Sequence, residues 1–307
     1  MDFLLITTFE PLQKYISMEK KRKCLLVPVD FEKPSLTALE QTFNLARLLR
    51  LDIVLLYVHE EAGLLTRWFS PDQSQEIIHR ITIELNQLAR QTEERSGVKV
   101  EAMVEKGKPH DVILDKAKEL NALMIFMGTT NSDEEIVGVT THKVVRTARC
   151  PVVTVRAETY HDGCRTILLP LDLTTETRQK TSWAIEIARL YQARIRILSV
   201  LWSNDEEIRR NLAIQLKQTK TFIEKAGIHC TAELLETFQS KQTLVPVILD
   251  YIQTHPEIDL VVIMTQQELS IVEYFLDSDA QQVIRSAKVP VMSVVPREMG
   301  HTSIRSF

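Results

Sequence analysis

The sequence predicts an α/β protein built twice: two tandem domains, each a five-stranded, mostly parallel sheet with helices on both faces. Three observations carry this. Short continuous apolar runs, such as Cys24–Val29 (CLLVPV) and Ile53–Val58 (IVLLYV), alternate with segments of helical apolar spacing, the pattern of parallel strands buried between helical layers. The segment VVRTARCPVVTV (144–155) returns as VIRSAKVPVMSV (283–294), identical at six of twelve positions. The chain has 307 residues, enough for two domains of ordinary size. A recurrence distance of about 140 residues is too long for a solenoid unit and fits a duplicated domain.

Each element of the first copy has its own reason. Cys24–Val29 ends in Asp30, as a fully buried strand ends at a polar turn. Pro34 opens a helix, since proline at a first helical position sacrifices no hydrogen bond; Leu36, Leu39, Phe43, Ala46 and Leu49 follow at helical spacing. After the strand Ile53–Val58, residues 72–95 carry Ile77, Ile81, Leu85 and Leu88 on one helical face. Val98–Val104 alternates and reads as a strand. Gly107-Lys108-Pro109 leads a helix with Val112, Ile113 and Ala117, and the strand Leu123–Met127 ends at Gly128-Thr129-Thr130. An acidic loop, Gly138, a short helical run and a last strand after Pro151 complete the copy.

The second copy repeats this order. TILLPLD (166–172) echoes LLVPVD (25–30), and Trp183, Ala184, Ile187, Ala188 and Tyr191 mark the next helix. Ile195–Val200, a helix through 205–226, Thr231–Leu235 and a helix at Val247–Asp250 follow. Leu260–Met264 aligns with Leu123–Met127. The domains are expected at 23–157 and 165–296, between an N-terminal extension (1–22) and a C-terminal tail (297–307). Residues 1–17 read either as an extension or as sequence upstream of a start at Met18.

The net charge of -4 gives no reason to expect nucleic acid or an anionic membrane as partner, and no apolar run approaches a membrane span. Cys24, Cys150, Cys164 and Cys230 form no CxxC and no ligand spacing with histidine, so they read as free thiols in a reducing compartment. The N-terminus has no basic n-region. The cytoplasm is therefore the expected location. No GxSxG, HExxH or paired Ser/His/Asp set is present, and no catalytic or metal-ligating set is assigned.

The order and spacing of Pro28-x-Asp30, Pro170-x-Asp172, Gly107-x-Pro109, Met127-Gly128-Thr129 and Lys143-Val144-Val145-Arg146 through Cys150-Pro151-Val152 resemble the universal stress protein family in its tandem form. The resemblance runs from Lys23 to Pro296. It implies a Rossmann-like, adenine-nucleotide-α-hydrolase-like fold, with ATP at a strand-four loop of pattern Gly-x2-Gly-x9-Gly-Ser/Thr. Carried over by position, Pro28, Val29, Asp30 and Val58 would surround the base. Met127, Gly128, Thr130, Asn131, Gly138, Val139, Thr140 and Thr141 would surround the ribose and phosphates, with magnesium accompanying the nucleotide. The family's pairing through its last strand implies antiparallel docking of the two domains within the chain, and homodimers are also open to it. The apolar edges Pro151–Val155 and Pro290–Val294 point to the same docking, because each needs a cover.

The departures weaken the site. Asn131 replaces the second glycine, Val139 replaces the hydroxyl residue, and the loop is short. In the second copy Thr265, Glu268 and Asp277 stand where glycines are expected, and only Ser278 survives. A carboxylate 4–6 Å from a phosphate costs about 3–4 kcal/mol at an effective dielectric near 20, so Asp133-Glu134-Glu135 and Asp277/Asp279 oppose a bare polyphosphate. Two readings follow: a stress-response protein with a weakened adenine-nucleotide site in domain one and a degenerate domain two, or a nucleotide-independent interaction module. An enzyme, such as a slow ATPase, lacks a base and a cationic clamp. Structural roles compete at single residues: Asp30, Thr140 and Thr141 as helix or turn caps, Gly128 as a close-approach position, His142 as a surface or interface residue.

Overall fold

The computed structural model describes residues 23–60, 71–129, 138–158, 160–171, 177–201, 204–237, 244–265 and 277–295. In the first half these form β1 (Cys24–Pro28), α1 (Lys33–Leu49), β2 (Asp52–His59), α2 (Pro71–Ser96), β3 (Val100–Lys106), α3 (Pro109–Glu119), β4 (Met124–Thr129), α4 (Val139–Thr147) and β5 (Val152–Arg156). The second half gives β6 (Thr166–Pro170), α5 (Thr177–Tyr191), β7 (Arg194–Leu201), α6 (Glu206–Lys225), β8 (Cys230–Glu236), α7 (Leu244–Thr254), β9 (Leu260–Met264), α8 (Asp277–Ser286) and β10 (Val291–Val294).

The ten strands form one sheet in the order β3-β2-β1-β4-β5-β10-β9-β6-β7-β8. Pairing within each half is parallel. β5 and β10 run antiparallel, with Val291 opposite Thr154, Met292 opposite Val153 and Ser293 opposite Val152. Successive strand side chains alternate between two apolar layers. Leu25, Val27, Met124, Phe126, Ile167 and Leu169 lie in one, with Ala38, Leu39 and Ala184 from α1 and α5. Leu26, Ile125, Met127 and Leu168 lie in the other, with Ile113, Val144, Val145, Val283 and Ile284 from α3, α4 and α8. Leu25, Leu26, Ile125, Leu168 and Leu169 are fully buried, and each such aliphatic chain contributes about 1.5–3 kcal/mol relative to exposure.

Gly107 shows why a glycine joins β3 to α3. Its φ is +140°, and a Cβ would lie 2.9 Å from Val112 Cγ2, so conformation and contact both exclude a side chain. The segment joining β5 to β6 is held from two sides. Gln41 on α1 donates to the His161 carbonyl at 2.8 Å and accepts from the His161 amide at 3.0 Å. Asn44, on the same helical face, bonds Asp162. Asp259, buried just before β9, accepts from the amides of Arg165 at 2.6 Å and Thr166 at 3.1 Å, and lies 3.2 Å from His161 Nδ1. Cys24, Cys164 and Cys230 are buried and Cys150 is half-buried, and no disulfide joins them. No helix among the described residues is long and apolar enough to cross a membrane.

Candidate functional site

In the first half the strand order reverses between β1 and β4. Beyond the carboxyl ends of strands at such a point, helix N-termini face an open crevice where ligands bind in open α/β sheets. The ends of β1, β2 and β4 and the start of α4 carry most of the residues singled out from the sequence.

At the end of β1, Pro28 is half-buried beside Leu56, and the Val29 amide donates to the Leu56 carbonyl at 2.9 Å. Asp30 is exposed, but its Oδ1 accepts from the Glu32 amide at 2.9 Å and from the Ser35 hydroxyl at 2.6 Å. One carboxylate oxygen therefore fixes the turn into α1. Phe31 follows at φ +67°, a left-handed conformation that costs a residue with a Cβ of order 1–3 kcal/mol. Its ring centroid lies 5.8 Å from that of Tyr57, tilted by 37°. Burial, and then the nearby Asp30 charge, raise the Tyr57 hydroxyl above its ordinary range. Val58, on the opposite side of β2 from Tyr57, is half-buried and pairs with Glu105.

At the end of β4, Met127 is buried and Gly128 supports the backbone of α1. A Cβ on Gly128 would lie 2.4 Å from both Pro34 C and Ser35 N. The opening turn of α1 thus rests directly on the strand, and this close approach accounts for the glycine without any ligand. Thr129 is 7% exposed, and its hydroxyl has no hydrogen-bond partner among the described residues.

Gly138 differs in kind. It is the N-cap of α4, exposed, at φ −46°, and a Cβ there would meet nothing within 4 Å. Neither strain nor packing requires glycine at this position. Gly138 offers no side chain to cap α4, none among the described residues does so, and the first turn holds no acid. The opening amides of a helix lack intrahelical acceptors and carry partial positive charge. Val139 is 64% exposed, Thr140 is half-buried, and Thr141 is buried toward the sheet. Neither threonine acts as the cap. Thr130, Asn131 and the acidic run 133–135 lie outside the described residues.

The second half corrects one detail of the repeat as aligned by sequence. β1 pairs with β4 as Leu25 with Met124, while β6 pairs with β9 as Ile167 with Leu260. Because Ile167 repeats Leu25, Leu260 corresponds to Met124, not to Leu123. The counterpart of Gly128 is therefore Met264 rather than Thr265, and Thr265 corresponds to Thr129. Met264 is buried in the layer that α1 and α5 cover, so a thioether chain fills volume given in the first half to the α1 backbone. Ser35, Phe31 and Tyr57 join the site without having been singled out from the sequence. Of these Ser35 carries a usable signal, as a small polar residue in the turn that Pro34 opens.

Among the described residues the donor set at the first-half site fits an anion: opening amides of α4 without a side-chain cap, an open glycine and no first-turn acid. Among the described residues, no group of three or more His, Cys, Asp or Glu side chains is placed to hold a metal ion.

Comparison with known proteins agrees with the fold. The model of the "Universal stress protein family" matches residues 21–156 and again residues 163–295. "Universal stress protein YxiE" of Bacillus subtilis is 26% identical over 144 residues, 43% of this chain and 97% of that protein. "Universal stress protein MJ0531" of Methanocaldococcus jannaschii is 26% identical over 145 residues, 45% of this chain and 84% of that protein. Among solved structures, a universal stress protein from Archaeoglobus fulgidus superposes with a TM-score of 0.71 at 18% identity, covering 89% of this chain and 98% of its own. Another, from Pseudomonas aeruginosa, gives 0.61 at 18% identity over 90% and 94%. At such identities these likenesses establish the fold.

Proposed function

This chain belongs to the universal stress protein family, matched twice along its length, and on that premise we propose that it is a non-enzymatic cytoplasmic stress-response protein whose first domain takes an adenine nucleotide. The second domain serves as its structural mate. One observation carries the reading: among the described residues, α4 presents an uncapped N-terminus with no acid in its first turn, at an open Gly138. Helix N-termini of this kind hold phosphate through main-chain donors. The amides of residues 139–141 would receive the phosphates, with any magnesium arriving alongside them. Asp30 and the end of β2 would flank the base. Because Asp30 already accepts two hydrogen bonds at Oδ1, Oδ2 is the oxygen left to meet a ligand donor.

Isothermal titration with ATP, ADP and AMP in the presence of magnesium tests this. Wild type is expected to give saturable heat, Gly138→Asp to lose it, and Asp30→Ala to weaken it. Absence of saturable heat with all three nucleotides would retire the reading. It would favour the alternative, a nucleotide-independent protein–protein interaction module of the same fold. That alternative draws its support from Gly128, whose identity the α1 contact explains without a ligand.

A further inference from the structure

α4 is a nine-residue helix, about 13 Å long at 1.5 Å per residue. No side chain among the described residues caps its N-terminus, so the contacts that hold it lie further along the helix. Val144 and Val145 seat it on the sheet. Two further contacts come from the second domain. Thr265, 2% exposed, donates its hydroxyl to the Val145 carbonyl at 3.3 Å. That carbonyl lies in the last turn, where helix geometry leaves acceptors without an intrahelical donor, so Thr265 caps α4 from the other half of the molecule. Gln281 on α8 meets His142 through Nε2 of each at 2.6 Å. His142 and Gln281 occupy the same place in the repeated segments 144–155 and 283–294, two residues before each.

Each half supports the other's helix, but through different side chains. Thr129 is the counterpart of Thr265 by strand register, yet its buried hydroxyl reaches no acceptor among the described residues. The last turn of α8 is held from the first half by a different side chain: Arg156, beside Thr129 in the strand register, donates to the Ser286 carbonyl at 3.2 Å. We infer that the second domain positions the ligand-bearing helix of the first, with Thr265 and Gln281 as positioning residues for α4 and, through it, for the amides of residues 139–141. This rests on the reading of the α4 N-terminus as the phosphate seat. The diverged domain thereby has a definite role, which is to fix the geometry of a helix it does not share.

The test compares wild type with the double variant Thr265→Val/Gln281→Ala, using Thr265→Ser alone as the conservative control. ATP titration with magnesium is expected to show affinity about two- to thirty-fold weaker in the double variant, the usual range for residues that act on a site from a distance. The serine variant, which keeps the hydroxyl, should bind as wild type does. Hydrogen exchange in the nucleotide-free protein should show faster exchange, in the double variant only, at residues 142–147, whose amides are bonded within α4 from His142 to Gly138 onward. Wild-type binding combined with unchanged affinity in the double variant would overturn the inference and leave the proposed function standing. Unchanged exchange at residues 142–147 would overturn it without reference to any ligand. No saturable heat in wild type would instead remove the reading on which it rests.

Discussion

Replacing Gly128 by alanine tests whether that residue is a packing position. The added methyl would lie 2.4 Å from Pro34 C and Ser35 N and 2.7 Å from Pro34 O. Carbon contacts are comfortable only near 3.5–4.0 Å, so either α1 or β4 must retreat by about 1 Å. All three opposing atoms are main chain, and none can rotate away. Retreat of α1 also stretches the 2.6 Å bond between Ser35 and Asp30. Overpacking a buried position costs about 1–3 kcal/mol, and an unyielding neighbour puts this case near the upper end. Each kcal/mol lowers the melting temperature of a domain of 150–250 residues by about 2–4 °C, so a fall of roughly 4–12 °C is expected. Thermal melts followed by circular dichroism, on nucleotide-free protein, isolate packing from any ligand effect. A melting temperature within about 1 °C of wild type, well inside the shift expected from 1 kcal/mol, would refute the reasoning.

Two other perturbations follow from buried groups. Asp259→Ala leaves the part-buried amide of Arg165 and the buried amide of Thr166 without their acceptor; at about 1–3 kcal/mol for an unsatisfied buried group and less for the part-buried one, urea denaturation should register a loss of roughly 1–4 kcal/mol, and an unchanged midpoint would show that Asp259 does not hold these amides. Burial, followed by the neighbouring Cys150, Asp52 and Glu101, raises the Cys24 thiol from 9.0 to about 12. The neutral thiol is the form the fold favours, so its contribution to stability is intact below pH 9.0 and is lost as pH rises toward about 12. Melting temperatures across that window should fall more steeply for wild type than for Cys24→Ala, and parallel curves would show that Cys24 does not titrate as argued.

The α/β architecture was legible because buried strands and amphipathic helices write different periods into a sequence. Leu260–Met264 was placed to the residue, and the helix read at 72–95 spans Pro71–Ser96. The frame of that same β9 against β4 was not legible. Strands buried on both faces are apolar at every position, so no alternation marks which residue faces which layer. Matching Leu260 to Leu123 was the natural choice, and only the hydrogen-bonded register shows that Asp259 stands opposite Leu123 in the repeat. The role of Asp259 was hidden for a related reason: the amides it holds lie more than 90 residues away in sequence. At the candidate site, Asp30, Gly128 and Gly138 stood out by residue type. What separates them is tertiary: a helix resting on Gly128, open space at Gly138, and a turn already fastened to Asp30. The aromatic contact between Phe31 and Tyr57 depends on a backbone conformation that the sequence does not announce.

The segment between β5 and β6 is more than a tether. Gln41 grips His161 by both of its main-chain groups, and Asp259 grips the amides a few residues later. Any swing of one half about the other would have to release a clasp on each side at once, each made of hydrogen bonds to main chain. A connector fastened at both ends transmits displacement instead of absorbing it. Movement of α1, which carries Gln41, would be felt at the threshold of β9 through a strap of covalent bonds.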